Sequence, residues 1–336
     1  MHRVSLKVAM LLSFAANAPT AARAADAIVL ELPLACTVGE TCAIQQYVDH
    51  DPSSAARDYQ CGTLSYDGHN GTDFRLPTLA VQRAGVDVLA AAPGVVLRLR
   101  SDMADVSIAE RGAVALGNRL CGNGVVIAHA GGWETQYCHM AKDSVRVRPG
   151  QTVSAGDPLG RVGLSGATVF PHLHFTVRHQ GQTIDPFAFA AAPESCGGGT
   201  PLWRPGLAAS LTYRPRTLLN WGFAAAAVSM QAIEAGEVAP AGADPAAIVA
   251  WVRSIGLKSA DVQELRLIAP GGEILLDHRA RPLERNEAQS LLFAGKPRPA
   301  GGWSAGVYRA SYRVLVAGAP VLERSFVLAL GLPSAP

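Results

Sequence analysis

The chain has 336 residues, 49% of them apolar and 17% charged, which excludes a disordered chain and leaves room for two domains with cores of their own. The 22 Pro and 34 Gly favour turn-rich β structure over long helices. The formal net charge is +2, and removing the three cations Arg3, Lys7 and Arg23 of the first 24 residues takes it to −1, so no nucleic-acid partner held on a broad basic face is expected.

In chain order, residues 1–24 read as a secretory signal. Arg3 and Lys7 give a positive start, 8–16 is an apolar run broken only by Ser13, and Ala22-Arg23-Ala24 fits a small-x-small cleavage site. The apolar run is too short to span a bilayer, no later run is long enough, and no Cys marks a lipid anchor, so no transmembrane anchor is expected. The expected product is an exported protein, periplasmic or secreted, that begins near Ala25.

The expected class is all-β. Residues 25–60 read as a leader segment packed on the first domain, which spans 61–196. Short strands separated by Gly turns are expected there at 86–90, 94–99, 124–129, 134–139, 158–162 and 172–178, with an inserted loop over about 100–121. A Gly-rich linker occupies 197–202. Residues 203–336 read as a small antiparallel β-sandwich, immunoglobulin-like in pattern. Its strands are expected at 210–213, 222–230, 247–253, 264–269, 274–276, 306–316 and 321–328, while Asp244-Pro245 could instead open a helix through Trp251.

Chemistry concentrates in the histidines. His69-Asn70-Gly71-Thr72-Asp73 sets an imidazole and a carboxylate on the two sides of a turn. In Pro171-His172-Leu173-His174-Phe175-Thr176-Val177, alternation puts His172, His174 and Thr176 on one face and the apolar residues on the other. The same alternation puts Tyr137 with His139 on one face and turns Cys138 away. A zinc hydrolase needs three N/O ligands and an open fourth position for water, with a base and oxyanion donors beside it. His69, Asp73 and one His of the HxH pair supply the ligands; the other, with His139, supplies acid–base and electrophilic groups.

From His69 to Pro186 the motifs resemble the lysostaphin-type (LytM-domain) zinc endopeptidases. In that family's order stand HNGTD at 69–73, VLA at 88–90, PGVV at 93–96, GNGVVIAH at 122–129, YCH at 137–139, VRPGQTVSAGDPLGRVGLSG at 147–166, PHLHF at 171–175 and Asp185-Pro186. The resemblance implies an antiparallel, barrel-like peptidase domain and one Zn2+ per chain held by His69, Asp73 and His174. It implies His172 and His139 as the catalytic pair, Tyr137 as a transition-state donor, and Asn123 as a substrate contact. His172 would take the proton of a zinc-activated water and pass it to the leaving amine, with His139 and Tyr137 on the developing oxyanion. The implied substrates are peptide stems and cross-links of peptidoglycan; no protein partner is specified. His129 matches a family histidine and reads as either structural or functional. Met140 stands where the family has Leu, Phe170 where a Gly commonly precedes Pro-His, and the 100–121 insert is longer than usual. Two other classes compete: a catalytically inactive scaffold that activates another wall hydrolase, and a related zinc D-Ala-D-Ala peptidase. The complete histidine set argues against the first, and the Gly-rich run with PHLHF against the second.

All six cysteines follow the expected signal and none forms a CxxC, which points to disulfides in an oxidising compartment. Of the fifteen pairings that six cysteines allow, the expected set is Cys36–Cys42, Cys61–Cys196 and Cys121–Cys138. The last would brace the catalytic strand from behind. A two-residue turn at Gly131-Gly132 would set Val125 opposite Cys138, so Gly122-Asn123-Gly124 must fold back to bring the sulfurs together.

Overall fold

The computed structural model describes residues 27–112, 116–192, 195–207 and 209–331; the expected signal at 1–24 lies outside them. Among the described residues no helix is long and apolar enough to cross a membrane.

Alternating apolar side chains on short strands build one eight-stranded antiparallel sheet in the first part of the chain. Its path runs β1 (Ala43–Gln46), β2 (Thr72–Arg75), β9 (His172–His179), β6 (Trp133–Met140), β5 (Asn123–Ala128), β4 (Gly94–Arg100) and β7 (Thr152–Val153). Strand β10 (Gln182–Ile184) pairs with β9, and β3 (Asp87–Leu89) with β8 (Pro158–Arg161) forms a separate two-stranded sheet. Phe74, Val125, Ile127, Tyr137, Leu173, Phe175 and Val177 bury one face of the large sheet against Val88, Leu159, Leu34 and Trp203. Part of the expected leader is therefore sheet, because β1 pairs with β2. The disulfides join Cys36 to Cys42, Cys61 to Cys196 and Cys121 to Cys138.

The C-terminal part holds a three-stranded sheet, β11 (Thr217–Ala224), β12 (Ala247–Leu257) and β15 (Glu287–Pro297), and a four-stranded one, β14 (Ile274–Arg279), β13 (Val262–Ile268), β16 (Gly306–Val316) and β17 (Ala319–Leu330). Ile248, Ala250 and Val252 from the first sheet share one core with Leu265, Leu267, Tyr308 and Tyr312 from the second. Helices are short: α1 (Leu79–Ala84), α2 (Ile108–Arg111) and α3 (Met230–Ala235). The architecture is mostly β.

The two parts meet through buried charge. Arg75 of β2 reaches Glu234 of α3 at 2.5 Å, and Arg253 of β12 reaches the same carboxylate at 2.6 Å. Arg75 also donates to Gln45 Oε1 (2.5 Å) and Gln289 Oε1 (2.7 Å), and Arg253 to the Pro77 carbonyl. Burial pulls the Arg75 guanidinium down to about 10, which leaves it charged at neutral pH.

Several elements differ from the sequence reading. Residues 210–213 are not a strand; Tyr213 instead packs on Tyr47 and Tyr59 and donates to Asp58 Oδ2 (2.7 Å). The run 222–230 stops as a strand at Ala224, and Ser229 then caps α3 by accepting from the Ala232 N–H, with left-handed Gly236 ending the helix. That Ser-to-Gly spacing is a readable cap signature. No helix follows Asp244-Pro245, because 247–257 is a buried strand. Strand β15 escaped notice because Glu287, Gln289 and Lys296 dilute its apolar residues. The hairpin between β5 and β6 turns over Ala130–Gly132, not over two glycines, so Val125 lies opposite Tyr137 and a bulge follows between Asn123 and Val125.

Replacing Cys61 and Cys196 together by Ser removes a cross-link between residues 135 apart in sequence. Loop-closure entropy puts the loss at about 5 kcal/mol, to be read as a lower midpoint in chemical denaturation of the oxidised protein.

Candidate metal centre and active site

Strand register brings the carboxylate and an imidazole together. In the antiparallel β2–β9 pair, Asp73 is the direct partner of His174, so both side chains rise on the same face, opposite the core. His69 joins from the loop before β2. Its Nδ1 donates to the Tyr47 carbonyl at 2.6 Å, which leaves Nε2 as a lone pair in the neutral ring. That Nε2 lies 3.2 Å from Asp73 Oδ1 and 3.2 Å from His174 Nδ1, and His174 Nδ1 lies 2.9 Å from Asp73 Oδ1. The other ring nitrogen of His174 meets Asn70 Oδ1 (3.1 Å) and Thr176 Oγ1 (3.1 Å). Donation from that nitrogen to Asn70 turns the Nδ1 lone pair inward. Three electron-pair donors thus converge within 4.8 Å of one another, a set that fits a divalent cation with N/O preference. Gly71 makes the turn possible: a Cβ there would lie 2.7 Å from His174 Cε1 and 2.8 Å from the Phe175 carbonyl.

Burial alone would push the Asp73 carboxyl up, but the imidazoles of His172, His69 and His174 around it hold it well below the ordinary carboxylate range. For His69, burial acts downward, and Asp73 together with the Tyr47 carbonyl and Asp49 outweighs it, so the imidazole lies above its ordinary value.

Two further histidines flank this group. His172 is buried, with Nδ1 3.0 Å from the Phe170 carbonyl and 3.0 Å from Thr168 Oγ1, and with Nε2 3.5 Å from Asp73 Oδ1. His139 directs Nδ1 to the Ser165 carbonyl at 2.8 Å, and its ring centroid is 4.6 Å from that of His172. Burial pushes both imidazoles below the ordinary histidine value, so both are neutral near neutral pH. His139 reaches this face through a left-handed backbone, φ 62°, which breaks the alternation of β6 at that residue.

That break corrects the placement of Tyr137. Tyr137 pairs across the sheet with Phe175 and so faces the core, where it is fully buried. Its hydroxyl accepts from the Ala91 N–H (2.7 Å) and from Thr135 Oγ1 (3.0 Å), away from the histidines. Cys138 is corrected in the opposite sense. It stands opposite His174, so the Cys121–Cys138 disulfide lies in the same row as Asp73 and His174 rather than behind the strand. Gly124 leaves room for it, since a Cβ there would come within 2.9 Å of the Cys121 sulfur.

Asn123 is a clamp, not an open contact. It is fully buried, donates to the Met103 and Met140 carbonyls (2.7 and 3.2 Å), and accepts from the Met103 N–H (2.8 Å). With all its side-chain polar atoms engaged, it pins the start of the 100–121 insert, at Met103, to the sheet. Asp105 adds to this by accepting from the Lys142 and Leu164 N–H groups (2.9 and 2.7 Å). His129 bridges the Pro93 carbonyl and Thr135 Oγ1 at 2.8 Å each, which is a structural role. The sequence reading missed Ser165 and Thr168, which orient His139 and His172. Their only signal is a place at the end of the Gly-rich run, for Ser165, or between it and PHLHF, for Thr168.

Residues 67–186 match the family model described as Peptidase family M23. They are a peptidase family M23 domain. The family is one of zinc metallopeptidases, and here its His/Asp/His metal group is complete. The chain is 32% identical over 117 residues to the peptidoglycan DD-endopeptidase ShyA of Vibrio cholerae, covering 35% of this chain and 22% of that protein. It is 39% identical over 69 residues to the DD-carboxypeptidase/endopeptidase Mpg of Neisseria meningitidis, covering 20% of this chain and 15% of that one. It is 34% identical over 86 residues to the murein hydrolase activator EnvC of Escherichia coli, covering 26% of this chain and 20% of that one. The catalytic domain of lysostaphin from Staphylococcus simulans aligns at 23% identity and TM-score 0.26, covering 35% of this chain and 76% of that one. The chain thus spans about a fifth or less of the length of these curated relatives.

Tyr137→Phe removes an acceptor from the buried Ala91 N–H and should cost about 1–3 kcal/mol of stability. Because the hydroxyl is on the core face, kcat measured well below the melting transition should remain close to wild type.

Proposed function

We propose that this protein is an extracytoplasmic zinc endopeptidase that hydrolyses peptide bonds in peptidoglycan stem peptides or cross-links. The convergence of His69 Nε2, Asp73 Oδ1 and His174 Nδ1 beside two neutral imidazoles carries this reading. Those three atoms would hold one zinc per chain. When bound, zinc supplies a water of lowered pKa and a Lewis acid for the scissile carbonyl. His172 keeps its Nδ1 proton on the Phe170 carbonyl, so Nε2 is free to accept a proton and later to deliver it to the leaving amine. His139, fixed the same way by Ser165, presents a second Nε2 lone pair beside it, and would donate to the developing oxyanion when the proton taken from the water resides on it rather than on His172. Tyr137 and Asn123 take no part.

Three disulfides support a location outside the cytoplasm, after removal of residues 1–24. Residues 61–196 are read as the peptidase domain, and the facing C-terminal sheets as an immunoglobulin-like sandwich. The similarity to an activator favours a second reading, a regulator of another hydrolase. The complete set of histidines favours the enzyme.

Digestion of purified sacculi, with released fragments identified by mass spectrometry, tests the proposal. New amino termini within stem peptides or cross-links are expected; intact sacculi after incubation with the zinc-loaded protein would leave the regulator reading. A chelator should abolish cleavage, and zinc should restore it. His174→Ala should lose metal and activity together, whereas His172→Ala should keep about one zinc and lose about 10²–10⁴-fold in kcat. Loss of zinc from His172→Ala would reverse the division of the HxH pair.

A further inference from the structure

The region beyond residue 203 has no counterpart in the family match, which ends at residue 186. It nonetheless reaches to within two side chains of His172, those of Arg75 and Phe170. Arg75 is the β-sheet partner of His172, and its guanidinium lies 4.2 Å above the ring of Phe170. The Phe170 ring in turn packs 4.7 Å from the His172 ring, and its carbonyl accepts from His172 Nδ1. What holds the guanidinium comes largely from the C-terminal part: Glu234 Oε2 at 2.5 Å and Gln289 Oε1 at 2.7 Å. Arg253 shares Glu234 at 2.6 Å and also donates from its Nε to Asn220 Oδ1 at 3.0 Å. Two fully buried cations therefore depend on one carboxylate. A cleft of about 420 Å³ beside them is lined by Phe170 and Arg75 on one side and by Asn286, Glu287 and Gln289 on the other.

We propose that Glu234 is a positioning residue for His172, acting through Arg75 and Phe170, so that the C-terminal part completes the active site. The inference rests on the peptidase reading of His172. The physical argument is one of restraint. A buried guanidinium with an ionic partner has one low-energy placement, whereas without the carboxylate it must move toward water or another acceptor. Phe170 lies directly under that cation, and it supplies both the ring against His172 and the carbonyl that fixes its tautomer. Movement of Arg75 therefore shifts the Nε2 lone pair that must meet the substrate. Small misplacements of a catalytic group cost rate steeply.

The test uses the full zinc-loaded chain. Glu234→Gln keeps the size and one acceptor but removes the charge. Its kcat should fall about tenfold with KM and zinc content unchanged, within the range that sub-ångström misplacement produces. Glu234→Asp should recover most of that loss. Gln289→Met removes a neutral acceptor from Arg75 without stranding a charge and should give a smaller fall in kcat. It decides the question if Glu234→Gln fails to fold. Leu267→Ala, in the C-terminal core away from Arg75, should lower the melting temperature and leave kcat unchanged. Wild-type kcat in both Glu234→Gln and Gln289→Met overturns the proposal. So does an equal loss of kcat in Leu267→Ala, which would make the effect one of general stability. If the wild-type chain cleaves nothing, the peptidase reading fails, and the imidazole ¹⁵N resonances decide the positioning. Glu234→Gln should shift those of His172 and leave those of His69 in place; unshifted His172 signals would overturn it.

Discussion

A carboxylate almost wholly withdrawn from water beneath imidazoles is the constraint on which this site depends. Asp73 is 2% exposed. An ionised group so placed is costly unless positive charge or hydrogen-bond donors face it from several sides. The surrounding chain answers with direction more than with charge. Tyr47, Asn70 and Thr176 engage the outer nitrogens of His69 and His174, and this aims the inner lone pairs at the carboxylate. Such an arrangement is stable with a cation at its centre and poor without one. The β2–β9 register sets the Asp73–His174 contact, and Gly71 lets the His69 loop close over it.

The residues around that centre divide by face more than by type. Tyr137 and His139 are two apart on one strand, yet one lies in the core and the other in the site. The left-handed backbone at His139 makes the difference, and it is held by the N–H donated to the Cys121 carbonyl and by the carbonyl that accepts from Gly163. The disulfide from Cys121 to Cys138 ties down the residue just before this unusual conformation. Asn123 and the described residues of the 100–121 insert hold the 163–168 segment, through hydrogen bonds such as those from Ile108 N–H to the Thr168 carbonyl and from Ala167 N–H to the Leu120 carbonyl. That segment carries the acceptors for both flanking histidines. The insert thus buttresses the catalytic wall.

The C-terminal sheets are attached by polar, buried contacts. Such contacts contribute little net stability when complete, but breaking one partner leaves an uncompensated charge. Their value lies in fixing one relative placement. Helix α3, its cap and its C-terminal glycine present Glu234 to Arg75, while Arg83 of α1 donates to the Ala235 carbonyl at 2.9 Å. A loosely tethered module would need none of these.

Local rules made much of this legible. Strict alternation in PHLHFTV identifies a strand with a histidine face and an apolar face, because side chains of a strand alternate whatever surrounds it. His69, Asp73, His172, His174 and His139 all stand in motifs whose spacing suits a metal hydrolase, and the structure brings them together. Alternation fails where backbone geometry departs from extended, and for that reason Tyr137 and Cys138 were assigned to the wrong faces. A positive φ at a histidine leaves no mark in composition or spacing. Asn123 was misread for a related reason: an amide side chain suits substrate and backbone equally, and only the approach of Met103 decides between them. The amino-acid sequence by itself determined the strand pattern, the metal-ligand chemistry and the family, since these are set by residue type at short spacing. The tertiary structure alone decided which face each residue serves, how the insert is pinned, and that Glu234 stands beside Arg75 across 159 residues of chain. Contacts at that separation depend on how whole elements pack, and no local pattern encodes them.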